Sequence, residues 1–297
     1  MIETFSAGYE TVNRRLWLLL FPIGLDLLLW LGPRLSVVPL AGYLPWHSLE
    51  ADQAALATEV LAQVNLAVLL ALYVPTLFGR LTPVPATPDV SHLWSRPVVA
   101  LPPGGVVVAL CVLLPLSLLI AALYLGLIGE LVQPAPRAGG RLRAAARNWW
   151  RLIVLHAAAA ALFLGIGAPA GLAIWGASHL SVEAGAFLLL LTQLALVWLV
   201  FYLFFALAAV ILSDAGPLRA ALTSVEVVRA NFWPAVAFIG LSLVIDTGLP
   251  IVWRALAGQL WGLMAGMVGN AYVGTGLAAA SMLFYRDRQR LLATAGA

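Results

Sequence analysis

Two carboxylates stand inside long apolar runs: Asp26 in LLLFPIGLDLLLWLG and Asp246 in GLSLVIDTGLP. A charge far from water is costly, so such a residue is either satisfied by a partner or set there to move an ion. Each has an arginine eight residues on, Arg34 and Arg254. That spacing puts both groups on one helix face, about 12 Å apart and beyond direct contact without reaching. Two readings follow. In one, each carboxylate pairs with an arginine or bonds near the carbonyls freed by Pro22 and Pro250. In the other, the pair forms a proton or cation relay. Asn270 and His156, also within apolar runs, complete a candidate polar path. His156 is followed by five alanines. Small neighbours would let a flat cofactor reach its ring, but its simpler role is a hydrogen bond to a neighbour.

The remaining chemistry is sparse. His47, His92 and His179 show no metal-ligand spacing, and no nucleophile elbow, phosphate-binding glycine loop or CxxC pair is present. The single cysteine, Cys111, lies in an apolar run, reads as a small core residue and can form no internal disulfide. No catalysis, metal or cofactor is expected. A lipid-active site would need Asp89, His92 and Arg96 to assemble from one loop.

These residues sit in a chain that is 63% hydrophobic and 10% charged over 297 residues, with mean hydropathy +0.99. Soluble domains carry about 25% charged residues, so the expected solvent is lipid. Apolar runs at 16–32, 104–129, 150–176, 184–212, 235–253 and 259–285 each suit a membrane span. A seventh candidate, 60–79, contains Gln63 and Asn65 and is interrupted by Pro75. Its short apolar core, 66–74, suits a re-entrant or interfacial segment. The proline-rich stretch 80–103 reads as an irregular loop. The expected fold is all-α: a polytopic transmembrane helical bundle of six strong spans, possibly seven, forming one integral membrane domain.

The charge that the chain does carry is concentrated. RLRAAARNWWRL at 141–152 places Arg143, Arg147 and Arg151 in one helical row beside Trp149 and Trp150. NRRLW at 13–17 and RANFW at 229–233 are related. Aligned on Trp17, Trp150 and Trp233, each unit opens an apolar span and meets a glycine fifteen residues on: Gly32, Gly165 and Gly248. Amphipathic segments precede the tryptophans. One has the apolar face Ile2, Phe5, Tyr9, Val12 and Leu16; another has Leu218, Leu222, Val225, Val228 and Phe232. Such helices are suited to lie as elbows in the headgroup plane. Glu130 and Asp214 end the preceding spans. Three repeats result: 1–32 with an insertion at 33–103 and the span 104–129, then 130–212, then 213–297.

With six spans, Arg34, Arg80, Arg96 and Arg254 fall on one side and the other twelve of the 16 basic residues, all arginine, on the opposite side. The arginine-rich side is expected to be cytoplasmic, with both termini inside and the chain in a bacterial cytoplasmic membrane. The tryptophans then anchor at the interface, and the arginines face lipid headgroups at about 1 kcal/mol each. Membrane lipids are the expected partners; a protein partner or homo-oligomer is open. A net charge of +3 argues against nucleic acid. Gly258, Gly262, Gly266, Asn270, Gly274 and Ala278 form a small-residue stripe that packs another helix of the chain or a second subunit.

LRAALTSVEVVRANFWPAV (218–236) and the opening ETVNRRLWLLLFPIGLDLLLWLGPRLS resemble a broad group of bacterial multi-pass membrane proteins. One member of that group is the membrane domain attached to some glycerophosphodiester phosphodiesterases. The shared part is arginine, aromatic and Trp after a short helix. The soluble phosphodiesterase domain is missing, so the resemblance implies a helical membrane fold and no activity. The expected function is a non-catalytic scaffold or accessory protein organising partner proteins or lipids. The alternative is a transporter for a small or lipid-like solute with Asp26, Asp246 and Asn270 on its path.

Overall fold

A computed structural model describes residues 2–43, 51–80, 96–133, 140–213 and 216–295. His47, Asp89, His92, Arg137 and Asp214 lie outside the described residues. The described chain is a helical bundle with one two-stranded parallel pair. Its elements are α1 (Ile2–Asn13), a 3-10 turn (Leu16–Leu19), α2 (Leu20–Leu31), β1 (Arg34–Ser36) with a 3-10 segment after it (Val38–Tyr43), α3 (Ala51–Gln63), a second 3-10 turn (Leu66–Ala71), β2 (Val98–Ala100), α4 (Pro103–Val132), α5 (Gly140–Leu180), α6 (Val182–Leu203), α7 (Ala206–Leu212), α8 (Pro217–Ala230), α9 (Phe232–Leu256) and α10 (Leu260–Ala295).

Among the described residues, five helical stretches are long and apolar enough to cross a bilayer: α4, α5, α6 with α7, α9 and α10. An all-α helical bundle fits the expectation, with five such helices among the described residues where six strong spans were expected. The difference lies at the first apolar run. Leu16–Leu31 is shorter than the others, and a break at Asn13–Arg15 separates it from α1, where Arg15 leaves helical geometry at φ −148°, ψ 58°.

α1 and α2 run end to end, antiparallel to α10. Phe5 stacks on Phe238 at 4.8 Å, and Phe238 stacks on Phe284 at 4.8 Å. A Cβ on Gly8 would meet Gly276 O at 2.7 Å and Ala280 Cβ at 2.8 Å. Asn13 accepts a hydrogen bond from the Tyr272 hydroxyl at 3.0 Å. Further on, Leu29 and Trp30 share a buried cluster with Ala257, Leu263 and Met267. α1 therefore packs along α10 through the middle of its predicted apolar face; Phe5, Gly8 and Val12 are buried, while Ile2 and Leu16 at its ends are exposed. Small residues on both helices permit the close approach.

The helices meet two environments. At one end, rich in arginine, α1, the second half of α4, α7, α8 and the end of α10 close around one core that includes Tyr124, Ile128, Phe205, Val227 and Tyr285. Its rim is tied by Arg286 donating to Val132 O (2.6 Å), Arg141 pairing with Glu130 (3.1 Å) and Arg151 donating to Ser213 O (3.5 Å). At the other end stand β1 and β2. Between them, residues 157–200 of the α5–α6 hairpin are mostly exposed. Apolar side chains on its surface suit lipid.

The elbows differ from one another. α8 breaks from α9 at Asn231, which sits at φ −128°, ψ 44°. The middle unit has no break; α5 runs unbroken from Gly140 to Leu180 through Trp149 and Trp150. On α8 the expected polar residues Arg219, Glu226 and Arg229 are exposed, and the expected apolar face is divided. Leu218 and Leu222 point outward, while Ala220, Ser224, Val227 and Val228 are buried. The reason is a polar demand below α8. The helix break between α6 and α7 frees backbone groups, and Ser224 Oγ accepts from Phe205 N–H (3.2 Å) and donates to Tyr202 O (2.8 Å). Cys111 is exposed rather than a core residue.

Candidate functional site

The polar residues in the apolar layer converge on one stretch of non-helical backbone. After α3, Asn65 leaves the helical direction and caps the second 3-10 turn; its Oδ1 accepts from Ala67 N–H at 3.1 Å and from Leu35 N–H of β1 at 3.0 Å. Six residues of 3-10 helix follow, about 12 Å of rise and far short of a bilayer. Pro75 then bars regular helix, and Thr76 N–H bonds back to Val74 O at 2.8 Å. The chain turns and climbs to Arg80. Residues 65–80 thus run from β1 to Gly274 of α10 at Pro75 and turn back toward Gly266 at Leu77.

Such a loop exposes amides and carbonyls that lipid cannot satisfy. In the candidate polar path, Asp26 and Asn270 meet such backbone needs, and Asp246 and His156 bond side chains of the loop. Asp26, fully buried, accepts from Leu77 N–H and Phe78 N–H, both at 2.9 Å. Asn270 donates its amide to Pro75 O at 3.0 Å. Asp246 pairs with Arg80, so its partner is on the loop and not eight residues along its own helix. His156 bonds the Tyr73 hydroxyl through Nε2. His156 Nδ1 lies 2.7 Å from Leu152 O. A carbonyl only accepts, so Nδ1 carries the proton in the neutral ring and Tyr73 donates to Nε2.

The glycine stripe on α10 is the groove that receives the climbing limb. A Cβ on Gly274 would strike Pro75 Cβ at 2.1 Å, and one on Gly266 would meet Leu77 Cδ2 at 3.1 Å. Gly262 lies in the tight entry to α10, where a Cβ would strike Leu256 O at 2.1 Å. At Gly262, Gly266 and Gly274 the stripe is filled from within the chain, while a Cβ on Gly258 would meet nothing within 4 Å. Gly269 and Gly276, which the fourfold spacing does not include, give equally close approach to Trp253 and Tyr9.

Sequence reasoning missed the loop's own contributors. Arg80 entered only as a topological charge, and Tyr73 and Thr76 not at all. The available signals were Asn65, Pro75 and Gly79 interrupting an otherwise apolar run. Thr76 Oγ1 and Trp253 Nε1 are buried with no hydrogen-bond partner among the described residues. Arg34 and Arg96 fasten the strand end instead of pairing with Asp26. Arg34 donates to Ala62 O, and Arg96 donates to Gly32 O (3.0 Å) and Leu29 O (2.7 Å), capping α2. Burial, then the charge of Arg34, lower the pKa of Arg96.

The interfacial set divides. Trp17, Trp150 and Trp233 are exposed, at 47%, 64% and 77%, where the packed end gives way to the apolar layer. Trp149 turns inward and donates to Pro115 O at 2.8 Å. Arg143 is exposed; Arg147 and Arg151 are half-buried. Among the described residues, no group of three His, Cys, Asp or Glu is placed to hold a metal ion. No family model, curated protein or solved structure matches this chain.

Proposed function

We propose that the protein is a non-catalytic membrane scaffold or accessory protein whose polar residues serve its own architecture. In this reading α1 and α2 together form a broken first crossing, giving six, with the arginine-rich end and both termini in the cytoplasm of a bacterium. Trp17, Trp150 and Trp233 mark the cytoplasmic interface of three related units. Arg143, Arg147 and Arg151 face anionic headgroups. The observation that carries the reading is the saturation of the polar path. Asp26, Asp246, Asn270 and His156 each bond a group on residues 73–80, which leaves them committed to the fold. The surfaces offered outward are an arginine-rich rim and an apolar hairpin, suited to lipids and membrane partners.

A second reading has one observation in its favour. Irregular backbone at membrane depth is a recurrent feature of transporter sites, and the loop carries the unpartnered Thr76 hydroxyl. Proteoliposomes separate the two. The scaffold reading expects ion and small-solute flux equal to empty vesicles under a pH or potential gradient, and Asp246→Asn changes only stability. Gradient-coupled flux that Asp246→Asn abolishes would establish the transporter.

A further inference from the structure

One polar side chain in the apolar layer has no use inside the molecule. Gln193 sits in LLLLTQLALVWLV on α6 and is exposed. Its neighbour Thr192 is satisfied within the helix, donating to Leu188 O at 2.8 Å. Among the described residues, the Gln193 amide has no hydrogen-bond partner. α6 begins at Val182, beside the hairpin turn. Gln193 therefore lies about 17 Å along the helix at 1.5 Å per residue, near the middle of a hydrocarbon layer about 30 Å thick. Facing lipid there, both its amide hydrogens and its carbonyl go unsatisfied.

The surface around it is ordered. Ala186, Leu190, Gln193, Val197 and Val200 follow spacings of four, three, four and three, and all are exposed; Leu190, Val197 and Val200 are 65%, 64% and 67% exposed. This is the heptad spacing of a helix pair packing at a shallow left-handed angle. The side of α6 bearing Gly185, Leu188 and Thr192 faces elsewhere; a Cβ on Gly185 would strike Ser178 of α5 at 2.8 Å. The seam is thus distinct from the face that closes the hairpin.

We propose that a second copy of this chain occupies the seam, α6 against α6, with Gln193 bonding to the Gln193 of the other copy. Two copies inserted with the same topology present α6 in parallel. Gln193 then meets itself at the same depth. A primary amide is self-complementary, donating and accepting at once, so one residue type satisfies both sides. This proposal is independent of whether the monomer is a scaffold or a transporter.

The test uses the full chain in membranes on a Cys111→Ser background, which removes the exposed native thiol. Single cysteines at Ala186, Leu190, Gln193 and Val197 are oxidised, with Leu191 as the exposed position off the seam. Disulfide-linked dimer is expected at the seam and not at Leu191. Energy transfer between labelled chains in vesicles should show the dimer weakened about three- to tenfold by Gln193→Leu and largely retained by Gln193→Asn. The thermal midpoint of the Gln193→Leu monomer should be unchanged, because the side chain touches no partner there. Equal cross-linking at Leu191, no dimer at any seam position, adducts only with other proteins, or an unchanged association for Gln193→Leu would each overturn the proposal.

Discussion

Among single residues, Asp26 and Asn270 were recognisable from sequence and their partners were not. An acidic residue in an apolar run announces that something must satisfy it. The partner, however, is backbone from 51 residues away for Asp26 and 195 residues away for Asn270, and backbone amides leave no trace in residue identity. The geometry makes Asp26 more demanding than an ordinary buried carboxylate. Asp26→Asn keeps the shape but turns one acceptor into a donor facing an N–H. We expect a loss of about 2–3 kcal/mol, read as a lowered thermal midpoint in detergent by tryptophan fluorescence. The Arg80–Asp246 pair should behave more mildly, since its side chains are 42% and 27% exposed. A double-mutant cycle with Arg80→Gln and Asp246→Asn should give a coupling of about 1 kcal/mol or less.

Individual elements were legible where periodicity and burial agree. The α4, α9 and α10 runs were visible as apolar stretches, and Phe5 and Val12 fell on the correct face of α1. On α8, amphipathicity records which face is apolar, not which of its residues touch protein. Leu218 and Leu222 point outward, Val228 of the same apolar face packs inward, and Ser224 is buried where it satisfies a helix break. Ser224→Val should therefore destabilise more than Leu222→Ser on the same helix; comparative thermal unfolding checks this. Glycines divide the same way. Gly8→Leu would drive a side chain into α10 and should release α1, seen as protease access to residues 2–13. Gly171→Ala, where a Cβ would meet nothing within 4 Å, should be neutral or raise the midpoint slightly through helix propensity.

Across the whole molecule, Trp17, Trp150 and Trp233 are all exposed, yet the segments around them differ in backbone. Asn231 breaks one helix while Asn148 is buried inside a continuous one. Sequence similarity between elbows cannot say whether the helix passes straight through, because a few residues of context decide it. The two-environment architecture makes a direct prediction. With six crossings, impermeant thiol reagent applied to right-side-out vesicles should label Leu180→Cys at the hairpin tip and not Arg143→Cys. Inverted vesicles should reverse the result. Equal labelling at both positions from one side would sink the six-crossing arrangement.

The distance in sequence between the 65–80 loop and its groove has a consequence for synthesis. Residues 65–80 emerge long before Asn270 and Gly274, the residues on which Pro75 comes to rest, 195 residues later in the case of Asn270. At about 5–20 residues per second, a ribosome needs about 10–40 s to cover that gap. During this interval Asp26 is already available to the Leu77 and Phe78 amides, but the Pro75 carbonyl has only water or the insertion machinery as its partner, since lipid offers none. The loop is therefore the last part of the first half to settle, and the final helix to be made is the one that seats it. A nascent chain stalled before α10 should keep Thr76→Cys reactive toward water-soluble thiol reagents, and completion of α10 should protect it.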